Sequence, residues 1–447
     1  GAVQTQACLA GDLWAFTVAG SVVKDEKPQN PTKTKDPQDP MDGVPLPAPI
    51  GGGSDNKEGS KTGVGVAAAV SINLITGETT SRIADAGHLQ AGFVSVQAEN
   101  DAGLIAATGG LAVVLKDSGK TAVALAGAFS YNEITADTVA EVQDTDLVLT
   151  GNAAGDFVLD VNALTKSKIF TLAAGGAGSK ASGGSGTQSG GSTAVSVAGS
   201  VSINVIDGDT SALLQDSTVL LDTGDARVRA EDRSSIFAIA GGLSISVATG
   251  QKGSSTAVSA GIAIAVNIIS SSAKALIADL VNSSLSQAGL LWADEGSGNL
   301  IVEAVNDRDI GAFTLAGAVS VASGTQGNGV AAGGAASGSV NQLKGDTTAT
   351  IHNSAVAVPG TVTVHAKDTS DIISAAGGIA VAVGVSSQGN GGAGSFGAAF
   401  AVNSIGTDSA DDLVWADVDD STVTAGGDIT IIAESEATIF ALAIGAA

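Results

Sequence analysis

The chain repeats itself about every 66 residues. Self-similarity at a period of tens of residues specifies stacked or arrayed units rather than one globular core. An apolar segment closing in Asn recurs at Asn73, Asn132, Asn204, Asn267, Asn341 and Asn403, a mean spacing of 66 residues. A second marker, an alternating apolar-x-apolar-x-Ala strand, ends at Ala98, Ala163, Ala230, Ala304, Ala366 and Ala433, a mean spacing of 67. A third, an Asx followed by small or polar residues, falls at Asp144, Asp216, Asn282, Asn353 and Asp420, with Asp85 less well aligned. Residues 1–447 therefore read as a single array. A partial unit with an insertion and the rest of that unit fill 1–100; units follow at about 101–165, 166–232, 233–306, 307–368 and 369–435, and a partial unit at 436–447.

Each unit has an internal order. A Gly-containing apolar strand (236–247) crosses a variable loop to a second such strand ending at the Asn (256–267); a shorter strand (275–279), the Asx turn and the alternating strand (299–305) follow. Period-two patterning puts Val94, Val96 and Ala98 on one face and Ser95, Gln97 and Glu99 on the other, and splits Val362, Val364 and Ala366 from Thr363, His365 and Lys367 in the same way. The long strands carry small apolar residues on both faces, as in 64–72, a pattern expected of strands buried on both sides or lying against another sheet. Helix is disfavoured, since Gly costs about 1 kcal/mol relative to Ala there. The expectation is an all-β fold, an elongated parallel, right-handed β-helix or solenoid. The recurrent Asn is expected to tolerate left-handed backbone and to bond its amide to the next layer.

The number of coils per unit stays open. Coils of about 20 to 25 residues would give roughly three per unit and a rod of about 90 to 100 Å at about 4.8 Å per layer. Pairing of the two long strands as a hairpin would give a shorter, wider object.

Composition narrows the partners. With 45 acidic against 20 basic residues, net charge −25, the chain is a poor match for nucleic acid or anionic lipid. One cysteine, Cys8, allows no internal disulfide. Apolar stretches such as 257–269 are too short to span a bilayer as helices, the opening residues show no leader pattern, and no membrane insertion is expected. Residues 24–62 hold seven of the eight prolines and read as a loop inserted between the long strands of the first unit. The equivalent loops 178–193, 249–255 and 384–394 are Gly/Ser-rich and line one edge, where insertions of a repeat array often mark the binding face. The chain starts and stops inside units without polar caps, the pattern of a segment from a longer array or of ends covered by neighbouring chains.

No catalytic residue is assigned. His88, His352 and His365 sit at different phases of the unit, and Trp14, Trp292 and Trp415 are far apart. Carboxylates such as Glu231 and Asp232 suit glycoside chemistry in principle, but they recur at equivalent turns, where a catalytic pair would be a singular departure from the repeat. Calcium-binding nonapeptide and EF-hand patterns are absent; Asp207 and Asp209, and Asp417, Asp419 and Asp420, are the candidates for weak Ca2+ binding, and no other cofactor or metal is expected.

The order I-x-A-x-A-G-G at 236–242, a Gly/Ala/Val strand closing in V-N such as 194–204, Asx-Ser-x-Val at 216–219 and V-x-V-x-A at 362–366 resembles the repetitive region of giant secreted bacterial adhesins of the filamentous haemagglutinin and leukotoxin-like filamentous adhesin type. The resemblance covers the chain apart from 24–62. It implies a right-handed β-helical shaft exported by an autotransporter or two-partner route and displayed at the cell surface. The expected role is the structural shaft of an extracellular adhesin or fibre, without catalysis, meeting a host-cell, matrix or polysaccharide surface or copies of itself. A self-assembling filament, sheath or surface-layer subunit is the alternative, and a polysaccharide-active β-helix enzyme the third reading.

Overall fold

A computed structural model describes residues 1–24, 62–117, 120–151, 157–183, 190–282, 287–292, 298–406 and 412–447. The Pro-rich insertion lies almost wholly outside them. The described residues form an all-β solenoid whose stacked strands pair in parallel.

The register fixes the coil. The strand Ser235–Gly250 pairs with Lys168–Ser182 on one side, Ser235 against Lys168, and with Asp309–Gly324 on the other, Ser235 against Asp309. The return strand Ser255–Ser270 pairs in the same way with Ser192–Asp207 and Gly329–Lys344. Each repeat is thus one coil, neither three short coils nor a hydrogen-bonded hairpin. The period shows that units are equivalent; it carries no information on how often the chain turns within one.

The coil at 235–308 shows the plan. An outgoing strand, Ser235–Gly250, turns at 251–254 into the return strand Ser255–Ser270. A short strand, Ala273–Ala278, ends at a corner; Leu290–Trp292 and the lateral strand Leu300–Asn306 then lead to the next outgoing strand. Lateral and outgoing strands build one sheet, return and short strands the other. The coil is the long dimension. From Leu300 to Gly324 the path covers about 80 Å at about 3.3 Å per residue, whereas seven stacked outgoing strands span only about 29 Å.

Corners are set by φ. Asp85, Asp144, Asp216, Asp279, Asn353 and Asp420 all have φ between 43° and 55°, the left-handed region that Asx residues tolerate best among non-glycine types. Two expectations change here. Asp85 sits at its corner like the others, and in the fourth unit the corner residue is Asp279, not Asn282, which lies in the local excursion that follows. The ladder asparagines, by contrast, are mid-strand and extended.

The two halves of the coil are packed by opposite rules. In the short-strand half the interior is Val, Leu, Ile and Ala: Val96, Val161, Val228, Val302 and Val364 stack inward fully buried, while the outer face is mostly polar. In the long-strand half, the wing, the inward residues are small. Along Ser255–Ser270 the inward side chains are Ser255, Ala257, Ser259, Gly261, Ala263, Ala265, Asn267 and Ile269, and Val258, Ile262, Ile264, Val266 and Ile268 point out. Small interiors let the sheets close up. A Cβ on Gly110, Gly175, Gly242 or Gly378 would lie 2.0–2.3 Å from a carbonyl oxygen of the opposite sheet. Ser246 and Ser320 reach across to the carbonyls of Val258 and Ala332. Of the two alternatives for the long strands, the small-residue face lying against another sheet is the one found; burial on both sides fails on the outer face.

Candidate functional surfaces

Three features stand apart from generic packing: an amide ladder, a buried charged belt and two apolar outer faces.

The six asparagines picked out by the repeat form one continuous ladder. Nδ2 of Asn73, Asn132, Asn204, Asn267 and Asn341 each donates to Oδ1 of the next, at 2.7, 2.8, 2.7, 2.8 and 2.7 Å. The second proton of Asn73, Asn132 and Asn204 goes to the Ser two residues earlier, as in Asn204 to Ser202 Oγ at 3.1 Å. Asn132, Asn204 and Asn267 are fully buried. A primary amide is suited to this position because it carries a donor and an acceptor in line, so identical side chains at the 4.8 Å rung spacing satisfy one another.

A buried polar belt separates the wing from the short-strand half. Asn100, Thr165, Asp232, Asn306 and Asp368 end successive lateral strands in register. Asp232 Oδ1 accepts from the Ser234 amide and hydroxyl, and its other oxygen from Ser271. Arg308, 1% exposed, donates through Nη1 to the carbonyls of Ser271 at 2.6 Å and Lys344 at 2.9 Å, and through Nε to Ser370 Oγ at 3.2 Å. Its Nη2 lies 3.4 Å from Asp368 Oδ2. Burial holds the Asp232 carboxyl above its ordinary value, against the pull of Arg308 and the serine donors. The Glu231–Asp232 pair is therefore divided: Asp232 is sealed in the belt, and Glu231 bonds Arg229 and Arg233.

The outer face of the lateral strands carries ion pairs running rung to rung: Arg227 with Asp160 at 2.9 Å, Arg229 with Glu303 at 2.6 Å, His365 with Glu434 at 2.8 Å. The hydrogen bond from His365 lowers the Glu434 carboxyl. These pairs are half-buried on a solvent-facing sheet, where screening keeps the contribution of each small.

Of the candidate calcium ligands, Asp419 and Asp420 come together with His352, all exposed, their ligand atoms within 4.8 Å of one another; this is the one such group among the described residues. Asp417 lies two residues before Asp419 on the same strand. Asp209 does structural work, its carboxylate accepting from the Ser272 amide of the next rung at 3.2 Å, while Asp207 ends its strand exposed. Cys8 and Trp14 are exposed on the first strand, and Trp415 is exposed far from Trp14 in sequence. Among the described residues no helix is long and apolar enough to cross a membrane.

The outer faces of the wing were not foreseen. On the outgoing sheet the outward side chains from Phe237 to Ile245, and their register partners in the other rungs, include no charged residue; the next row holds Lys180 beside Val247. The return sheet presents Val258 to Val266 and their partners, equally uncharged; the next row holds Glu133 in the same register as Ile268. Phe170 stacks on Phe237 at 5.7 Å between ring centroids, and Phe237 meets Phe313 at 5.4 Å. Beside this aromatic ridge runs an apolar groove of about 950 Å3 lined by Gly241, Leu243, Phe313, Leu315, Gly317 and Ile379. The signal for these faces was present in the alternation of small and large residues, but large residues are ordinarily assigned inward.

Compared with protein-family models, curated proteins and solved structures, the chain gives no match.

Proposed function

We propose that this chain is a length of structural shaft from an extracellular bacterial surface fibre or adhesin, acting by reach and attachment rather than by catalysis. The observation that carries the reading is the unbroken Asn73-to-Asn403 ladder through six rungs. Each rung satisfies the next with the same side chain, so the fold extends along one axis and is built for repetition. Attachment to a host-cell, matrix or polysaccharide surface falls to the loops at the wing tip, which occupy one phase of every coil. Immunogold labelling of intact source cells with antibody to this chain tests the reading: label on surface filaments is expected, and label confined to the cell interior refutes it.

The second reading, a self-assembling filament or sheath, is favoured by the uncharged apolar faces of the wing. Contiguous exposed apolar patches beyond a few hundred Å2 mark interaction surfaces.

A further inference from the structure

We propose that two copies of this chain pair face to face through the outer surface of the outgoing sheet, about a two-fold axis parallel to the stacking direction. The inference deepens the shaft reading by naming the partner; a shaft that proved single would overturn the pairing and leave the shaft intact.

The carrying observation is a self-complementary pattern at the centre of the band. Two neighbouring outward positions hold one glycine and one large side chain in five of the seven outgoing strands: Val18 and Gly20, Gly109 and Leu111, Gly241 and Leu243, Leu315 and Gly317, Gly377 and Ile379. The third rung, with Ala174 and Gly176, presents two small residues, and the seventh holds Ile444 beside Ala446. A two-fold axis between the two positions maps each glycine onto the large residue of the same rung in the other copy, so knobs meet holes in both directions. Within one chain, Leu111, Leu243 and Leu315 already lean over Gly176, Gly317 and Gly377 of the next rung. Gly109 and Gly241 stay open, their nearest neighbours being backbone oxygens at 3.8 and 3.9 Å from a Cβ position. These are the holes that Leu111 and Leu243 of the second copy would fill.

Area and charge agree. The uncharged band from Phe237 to Ile245 is about 26 Å tall and seven rungs are about 29 Å deep, so full overlap covers about 750 Å2 per copy, about 1,500 Å2 in all. Stable specific interfaces bury roughly 1,200–2,000 Å2. The band carries no charge, and this axis sends the two charged short-strand halves to opposite ends; a two-fold axis along the strands would set them side by side. Both shafts then run in the same direction, as a fibre requires. A lipid bilayer is of similar thickness, about 30 Å, but hydrocarbon chains would not distinguish the glycine from the large residue of a rung, so the paired variants below separate the two occupants.

The test is sedimentation equilibrium of the full chain with circular dichroism as the folding control. A dimer is expected. Gly241→Leu, which sets Leu against Leu, is expected to weaken it by about 30-fold, and Leu243→Glu by at least as much. The double exchange Gly241→Leu with Leu243→Gly restores complementarity and is expected to recover most of the loss, while Ile264→Glu on the return face leaves pairing unchanged. A chain monomeric up to about 100 μM, where interfaces of this size associate, overturns the proposal. So does association indifferent to both single variants, or a folded monomer that floats with phosphatidylcholine vesicles.

Discussion

Replacing Gly242 by Ala adds one carbon where the two sheets of the wing lie closest. The new Cβ would sit 2.2 Å from the Ile262 carbonyl oxygen and 2.9 Å from its carbon and nitrogen, all backbone atoms that no rotamer change moves aside. To reach ordinary contact the sheets must separate by about 1 Å, a displacement that also stretches the Ser246 hydrogen bond to Val258. Overpacking of this kind costs about 1–3 kcal/mol, and one strained hydrogen bond adds up to about 1. Ala recovers about 0.5–1 kcal/mol of backbone entropy relative to Gly, leaving a net loss of about 2 kcal/mol. The control is one residue away: a Cβ on Gly241 points outward and meets nothing closer than 3.9 Å, so Gly241→Ala should be neutral or slightly stabilising. Urea-unfolding midpoints of the two variants, followed by circular dichroism, check the pair. Equal midpoints would refute the close approach of the sheets. Nature's exception supports the reasoning: in the fifth rung the row holds Ala316, and the opposite sheet supplies Gly261 against the adjoining Gly317 carbonyl.

Three further outcomes follow from the buried polar groups. Asn204→Leu keeps the volume but strands the Asn132 donor and the Asn267 acceptor, and should cost about 2–4 kcal/mol in denaturant unfolding. Arg308→Ala leaves Asp232 and Asp368 without a cation and should cost about 3–5 kcal/mol, with Arg308→Lys intermediate because an ammonium cannot reproduce the forked donors. Asp232 is held protonated-favouring by burial, so its contribution to stability is full below the unfolded value near 3.9 and is lost as pH rises through the raised native value. Asp232→Asn should therefore gain on the parent protein as pH climbs from about 4 toward neutrality; a constant difference across a pH series of melts would refute the assignment.

Much of the stack was legible in the sequence because stacking imposes identity along a row. The Ala98-to-Ala433 marker and the six asparagines fall in register from rung to rung, and Val362, Val364 and Ala366 face inward as their alternation indicates. The coil size was not legible, since a period measures equivalence and not the path between equivalent points. The wing stays open in the sequence between two alternatives, burial on both faces or a small-residue face against another sheet, for a different physical reason: hydrophobicity marks burial only when the interior is wide enough for large side chains. Where Ala, Gly and Ser bring two sheets into backbone contact, Val and Ile are left outside. Arg308 did have a signal, as the one long cation in a row otherwise holding the small residues Ala102, Ser167, Ser234, Ser370 and Ala437.

Every feature of this fold depends on one coil per repeat. Gln97 and Ile432 lie five rungs apart in a single outward row through Asn162, Arg229, Glu303 and His365. Spin labels at Gln97→Cys and Ile432→Cys, in a chain with Cys8→Ser, should give a dipolar distance centred near 24 Å, five steps of about 4.8 Å. Three coils per repeat would place the same labels about 70 Å apart, and a distance of that order would contradict the fold and everything built on it.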